Sequence, residues 1–521
     1  MESTTADFII VGGGLTGCVI ASRLAQAASS PSVILIEVCP DPTGEPGTDT
    51  VLAGLGLLGG KLDYAYQSEP AAQTTRRVHT LPAGRTLGGG SILNYGGWLV
   101  ADSKDYDAWG KAVGDERWSY AGIKPWLDKT EKHFDVTSIS DDPERTYPLR
   151  DPVANAWKEL GVVSADGSNG SMTGLSELKE NLRRDGVRQP SYAAYPLKDV
   201  HLFTDTSVKR VTFSEKKAAG VELSDGRTLQ ANKEVILCAG AYRSPQLLML
   251  SGIGPKETLS AHGIPIIHDS PEVGRNLFDH FAVYMAFRLR DPAKNLALGS
   301  PGWTKPSLFK GLPYDWVVSE RLPQEVSEKH TKDAALTERN LFEVLTVYVP
   351  PGIPGIPIDG THIATSTMLL LPTSRGTVSI KSASPDTRPS IQPNYLATDF
   401  DRDTILYATR RTLKAMLGTE TMKQYIASET PPSGPSLDGL DPLTPGASDE
   451  AIMERVERSG MQHHHSGGTA AMGKVVDTEG KVLGVEGLRI ADASVLPCPL
   501  GGHPQASLYA MAEQLASFIV A

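Results

Sequence analysis

The chain has 521 residues, 40% of them hydrophobic and 21% charged, which exceeds the ~250–300 residues one hydrophobic core serves, so two or more domains are expected. A net charge of −11 argues against nucleic acid as a partner, which needs a basic face, and against an electrostatic anchor to an anionic membrane. Four scattered cysteines, Cys18, Cys39, Cys238 and Cys498, form no CxxC pair, so neither a disulfide framework nor a zinc site is indicated.

The first element is a strand, Asp7-Phe-Ile-Ile-Val11. It begins within the first ten residues, leaving no room for a basic region, an apolar core and a cleavage site, so a cytoplasmic protein is expected. No apolar run of ~18 or more residues suggests a membrane span. Gly12-Gly-Gly-Leu-Thr-Gly17 follows, then a helical pattern, then a second strand, Ser32-Val-Ile-Leu-Ile-Glu37. In this strand–turn–helix–strand setting Gly12, Gly14 and Gly17 permit a tight turn and let the backbone approach a pyrophosphate. Leu15 and Thr16 open the helix, whose first N–H groups and positive dipole end favour phosphate. Glu37, closing the second strand, can accept hydrogen bonds from ribose hydroxyls and repels a 2′-phosphate. The pattern marks a dinucleotide site without choosing between FAD and NAD.

Glycine-rich stretches at 42–60 and 84–97 read as irregular loops. Residues 102–200 are mixed, with helical periodicity around 120–134, and read as a separate lobe. Strands are expected at 208–213, 220–223 and 234–238. Residues 290–450 are proline-rich with alternating segments at 361–371 and 376–380, suggesting a sheet that carries long loops. The end returns to a strand at 488–491 and a helix at 505–520. No internal repeat occurs. This layout suits a cofactor-binding domain in three pieces, 1–110, 201–290 and 456–521, interrupted by substrate-binding pieces at 111–200 and 291–455.

Gly84-Arg-Thr-Leu-Gly-Gly-Gly-Ser-Ile-Leu-Asn94, with Asp105-Tyr-Asp-Ala-Trp109 beyond it, closely resembles the first signature of the glucose–methanol–choline (GMC) oxidoreductases. Gly240-Ala-Tyr-Arg-Ser-Pro-Gln-Leu-Leu-Met-Leu-Ser-Gly-Ile-Gly254 resembles the second signature, and Val273-Gly-Arg-Asn-Leu-Phe-Asp-His280 the next motif. Gly468-Thr-Ala-Ala-Met-Gly473 and Gly487-Leu-Arg-Ile-Ala-Asp-Ala-Ser-Val-Leu-Pro497 resemble the last cofactor-contacting segments. The agreement runs from residue 7 to about 519 and is poorest at 110–200 and 290–370. It implies an α/β protein: a Rossmann-like FAD-binding domain with an inserted α+β substrate-binding domain built on an antiparallel sheet. Under the resemblance Arg85, Gly88, Gly89 and Ser91 belong to the FAD site, Asn94 lies near the flavin ring and Val208 beside the adenine. Asp492 would lie near the ribityl–phosphate region, and Gly240, Ala493, Pro504 and Gln505 also belong to the cofactor site. The sequence departs from the family at Val38-Cys39, where Ala-Gly is usual, and at Gly90, where serine is more usual. Leu93 stands where some members carry a histidine bonded to the flavin, so FAD is expected to be non-covalent.

The resemblance also aligns His465 with the catalytic histidine and His503 with the second active-site position. A neutral imidazole can take the hydroxyl proton as a hydride passes from the carbinol carbon to flavin N5. A helix starting at Pro504 would aim its positive end at the charge of reduced flavin. His463 and His464 carry no assignment; on one strand, three adjacent histidines alternate faces and make no ready tetrahedral metal site. His280 is expected to be a structural partner near the cofactor. Tyr95, Trp98, Phe342 and Tyr348 are candidates to line a pocket for an aromatic or apolar alcohol, or to be core. The expected function is FAD-dependent oxidation of a primary or secondary alcohol, intracellular and biosynthetic, with oxygen or another electron acceptor. The alternative is a non-redox lyase or cyclase retaining FAD structurally. No residue sets the oligomeric state.

Overall fold

A computed structural model describes residues 4–520 apart from 166, 168, 169, 331 and 333. The strand β1 (Thr5–Val11) lies at the centre of a seven-stranded sheet. It pairs in parallel with Thr228–Leu237 on one side and with β2 (Val33–Ile36) on the other, so that Val11 stands opposite both Leu237 and Ile36. His201–Phe203 extends the parallel run beyond β2, and Leu488–Ile490 beyond Leu237. All four residues of β2 are buried, as are Ile9 and Ile10 of β1. Parallel strands covered on both faces require such continuous apolar runs. Val208–Ser214 and Lys217–Leu223 add an antiparallel edge. The helix α1 (Leu15–Ala25) connects β1 to β2 and packs against the C-terminal helix Pro504–Val520.

The second sheet is antiparallel. Phe281–Leu289, His362–Leu369, Phe342–Val347, Tyr314–Glu320 and Gly174–Glu177 lie side by side in that order, with Ile426–Thr430 and Met461–Gln462 on the outer side of Phe281–Leu289. Helix Asp399–Leu413 covers one face: Thr367 hydrogen-bonds Thr412 of that helix at 2.8 Å. Side chains alternate along a strand, so the neighbouring Ser366 points the other way, into a cleft between the two layers. Ser366 pairs with Tyr284 on one side and Leu345 on the other, which puts Glu343, Leu345 and Val347 on the cleft face as well.

This is the α/β fold with an antiparallel second domain that the resemblance implies. The strand Phe281–Leu289 hydrogen-bonds in the second sheet although the sequence division groups it with 201–290. The chain passes between the layers at Asp279 and His280, where Phe278 also bridges to Gly467. The short connections at the junction set the geometry of the site.

Candidate active site

The glycine turn after β1 is built for a backbone conformation. Gly12 has φ +106°, and a β-carbon on it would sit 2.5 Å from the carbonyl oxygen of Cys238. A β-carbon on Gly17 would come within 2.0 Å of the Gly12 carbonyl oxygen, so this glycine lets α1 lie against the turn and does not line the cleft. Gly14 caps α1 without any side-chain hydrogen bond, leaving the first turn at Leu15 and Thr16 facing the cleft with its positive dipole end. Glu37 accepts hydrogen bonds from the Gly13 and Cys39 amides at 2.8 and 3.2 Å, and burial pushes its pKa up. A carboxylate has about four acceptor positions, so capacity remains toward the cleft, which Glu37 also lines.

The second glycine cluster lies directly on the first. The Gly88 amide donates to the Gly13 carbonyl at 2.7 Å, and a β-carbon on Gly89, at φ +52°, would approach Gly14 Cα to 2.8 Å. Ser91 turns away from the cleft, its Oγ donating to the Gly88 carbonyl at 2.7 Å and accepting from the Ser191 amide at 3.0 Å. Arg85 is exposed, with its guanidinium over the Tyr64 ring. Arg85, Gly88, Ser91 and Gly17 therefore brace the cleft wall from outside it. Gly89 and Asn94 line it, as does Val208 at the far edge of the first sheet.

Asp492 joins two further pieces of wall. Its carboxylate accepts from the Gly240 amide at 2.9 Å, from Ser244 Oγ at 2.5 Å and from the Ser494 amide at 2.8 Å, and burial raises its pKa. Gly240 has φ +80° and would place a β-carbon in open space, beside Ala493 on the same wall. Asn94 Nδ2 donates to Gln505 Oε1 at 3.2 Å, and Gln505 Nε2 donates to the Gly97 carbonyl, tying the glycine cluster to Pro504 and the start of the C-terminal helix. Sequence reasoning missed Arg188. Its buried guanidinium donates to the Asn94 carbonyl at 2.6 Å, to Asn94 Oδ1 at 2.8 Å and to the Ser91 carbonyl at 3.2 Å, and burial lowers its pKa to about 10. Arg188 is one of three arginines in a mixed polar stretch with Arg183 and Arg184, and nothing local marks it out for that role.

At the other end the cleft meets a group of imidazoles. His463, His464 and His465 do not continue the strand expected of them: Met461–Gln462 ends, and His464 takes φ +64° in a turn held by Gln462 Oε1, which accepts from the His464 amide at 2.7 Å. Face alternation is lost there, and all three rings line the cavity, a space of about 400 Å³. His465 and His503 face each other with ring centroids 5.4 Å apart. The His465 amide donates to Asp279 Oδ1 at 2.7 Å, while Asp279 Oδ2 accepts from Tyr395 and Ser466 at 3.1 Å each; burial pushes Asp279 up to about 7. Burial, followed by His280, His463, His503 and His464, holds His465 well below the ordinary imidazole value, so the ring is neutral. His503 donates from Nε2 to Glu343 Oε1 at 3.0 Å, leaving Nδ1 beside Gly97, a lining residue. Glu343 was not anticipated; its signal is a single charged residue inside the otherwise uncharged, buried strand Phe342–Val347.

Of the four aromatics proposed as pocket lining, Tyr95 lines the cavity. Trp98 stacks on Tyr509 in the core, Phe342 lies on the face of its strand opposite Glu343, against Tyr407, and Tyr348 is buried with its hydroxyl on Asp315. Tyr284, Leu312, Tyr314, Leu345 and Val347 supply the remaining wall near the histidines. The cleft thus runs from an uncapped helix end and a carboxylate with spare acceptor capacity, along a wall rich in glycine, to two opposed imidazoles, and these donors and spaces fit a flavin dinucleotide. Among the described residues no helix is long and apolar enough to cross a membrane.

Comparison with known proteins gives the same picture. GMC oxidoreductase family models match residues 6–282 and 372–512. The chain is 40% identical to the GMC-type oxidoreductase acuG of Aspergillus aculeatus, over the full length of both. Among solved structures it is similar to formate oxidase of Aspergillus oryzae RIB40, studied for modification of its FAD, with TM-score 0.88, 27% identity and 100% and 98% of the two chains covered. It is also similar to pyridoxine 4-oxidase from Mesorbium loti, with TM-score 0.83, 26% identity and 98% of each chain covered.

Proposed function

As this chain belongs to the GMC oxidoreductases and uses FAD, we propose that it oxidises the CH–OH group of a small apolar or aromatic alcohol, with His465 as base and His503 as a second partner of the substrate oxygen. The observation that carries this reading is the facing pair: two imidazoles with centroids 5.4 Å apart at the closed end of a dinucleotide cleft, each with one nitrogen held from behind. Bound FAD supplies the acceptor for the hydride of the carbinol carbon.

The protein's own part is positional and acid–base. A neutral His465 takes the hydroxyl proton, which raises electron density at the carbon as its hydride leaves. His503, locked by Glu343, presents Nδ1 to the same oxygen. Tyr95, Tyr284, Leu345 and Val347 exclude water and offer no ionic partner, so a neutral substrate is favoured over a carboxylate or phosphate. The similarity to pyridoxine 4-oxidase, by its name an enzyme acting on pyridoxine, supports an aromatic alcohol. Leu93 lines the cleft and cannot bond covalently to the flavin, which supports non-covalent FAD.

Anaerobic mixing of the FAD-loaded protein with a panel of alcohols tests the proposal. Loss of the flavin's visible absorption band with one of them is the expected result. Turnover of a substrate with the band unchanged would instead favour the lyase or cyclase chemistry. Mixing the reduced protein with oxygen then separates an oxidase from a dehydrogenase.

A further inference from the structure

His280 stands behind His465, outside the cleft wall, and is 3% exposed. Both its ring nitrogens are engaged: Nε2 lies 3.1 Å from the carbonyl oxygen of Leu500, and Nδ1 lies 2.8 Å from Nδ1 of His465. A carbonyl oxygen only accepts, so the proton of His280 sits on Nε2. A neutral ring then has a bare lone pair on Nδ1. Two nitrogens at hydrogen-bond distance need one proton between them, and it has to come from Nδ1 of His465. That leaves Nε2 of His465 as the nitrogen with a free lone pair, and the ring that carries it lines the cleft.

We propose that His280 is a positioning residue: the chain from the Leu500 carbonyl through His280 to His465 holds His465 in the tautomer whose Nε2 is a base. This rests on the reading of His465 as the proton acceptor and supplies the reason why the correct nitrogen is bare. In the opposite tautomer an N–H would point at the substrate hydroxyl, able to donate a hydrogen bond but unable to take the proton. After proton uptake at Nε2, the Nδ1–H to His280 contact is already made and becomes charge-assisted, so nothing need reorganise. The neighbours keep His280 neutral. His465, His463 and His503 surround it, the Asp279 carboxylate is turned toward the His465 amide, Tyr395 and Ser466, and burial, then His503, pushes His280 down to about 3.

The experiment is NMR of the ring nitrogens in holoenzyme labelled with 15N-histidine, the His465 signals being identified by their loss in H465N. The expected wild-type spectrum has the His465 proton on Nδ1 and a lone pair on Nε2. His280→Asn keeps an acceptor in the place of Nδ1 and is expected to preserve that tautomer. His280→Leu removes it and is expected to move the proton wholly or partly to Nε2. Flavin reduction at saturating alcohol should then slow at least about tenfold, with the half-saturating concentration little changed, and H280N should recover the rate. A wild-type His465 carrying its proton on Nε2, or an H280L protein whose His465 keeps Nδ1–H, overturns the proposal. If H280L does not fold, the wild-type and H280N spectra decide alone, and an Nε2–H signal in either one sinks it. The tautomer is read whether or not any alcohol reduces the flavin, so failure of the relay and failure of the alcohol reading are separate results.

Discussion

Glu343 Oε1 accepts a 3.0 Å hydrogen bond from His503 Nε2 across the cleft wall, and the carboxylate is fully shielded from solvent. Its second oxygen, Oε2, has no protein partner. A buried carboxylate with an empty acceptor is expensive, and an apolar or amide residue there would serve packing better. Its position is explained by the ring it holds. Glu343→Gln keeps the size and one acceptor but removes the charge. We expect the rate of flavin reduction to fall by about 10–100-fold, the FAD content to stay the same and stability to hold or rise. Glu343→Leu leaves the His503 N–H unpaired and should cost about 1–3 kcal/mol in denaturant unfolding as well. A normal rate in E343Q would remove the charge from the mechanism.

His465 touches the reacting oxygen in the proposed chemistry, so its loss should be specific to proton transfer. Positioned bases contribute about 10²–10⁴-fold, and His465→Ala should slow flavin reduction by that range with bound FAD retained. Rapid mixing with the substrate identified in the alcohol panel measures it. Unchanged reduction would transfer the role to another group, His503 first.

Gly89 tests the contact between the two glycine clusters. Alanine there must adopt φ +52° with ψ −127°, a backbone region open to glycine and closed to other residues without strain, which costs about 1–3 kcal/mol, and must push back Gly14 Cα from 2.8 Å. The strain falls on the glycine turn and helix start that line the cleft. G89A should therefore bind FAD at least about tenfold more weakly while the FAD-free protein melts only slightly lower, by titration of the apoprotein and by thermal unfolding.

His79 gives a pH test away from the cavity. Its Nε2 shares a 2.7 Å hydrogen bond with Thr74 Oγ1, and burial, then Arg77, lowers its pKa from 6.5 to about 4. The unfolded chain protonates this ring near 6.5, so between 6.5 and 4 the unfolded state binds more protons than the folded one. The stability His79 contributes is therefore complete above 6.5 and is lost as pH falls toward 4. His79→Gln lacks that titration. Urea unfolding should show wild type ahead of H79Q by about 1–3 kcal/mol at pH 7.5 and a gap that narrows steadily down to pH 4.5. A gap independent of pH would contradict a neutral buried ring.

What the sequence by itself determined is the part written in local conformation and short-range spacing. Gly12 and Gly17 between two apolar strands, and Gly88 and Gly89 ahead of Asn94, state backbone requirements that other residues meet only with strain, so the dinucleotide turn, the FAD-binding layer and the family were legible. Spacing did not tell a glycine that faces the cleft, such as Gly14, whose β-carbon would meet no protein atom closer than 3.8 Å, from one that braces it, such as Gly17, because the G-x-G-x-x-G pattern marks both alike.

The tertiary structure alone decided how the histidines are oriented and what holds each ring. One left-handed residue, His464, overrides the face alternation that a strand would impose and turns three rings into the cavity. Phe342 went to the core against Tyr407 of the covering helix Asp399–Leu413, which put the neighbouring Glu343 on the opposite face, toward His503. Glu343 lies 160 residues from His503, and His280 lies 185 from His465. Helical and strand periodicities act over a few residues, whereas these hydrogen bonds exist only once two sheets have packed and brought distant segments within 3 Å, so the identity of each imidazole's partner leaves no trace in the order of the residues around it.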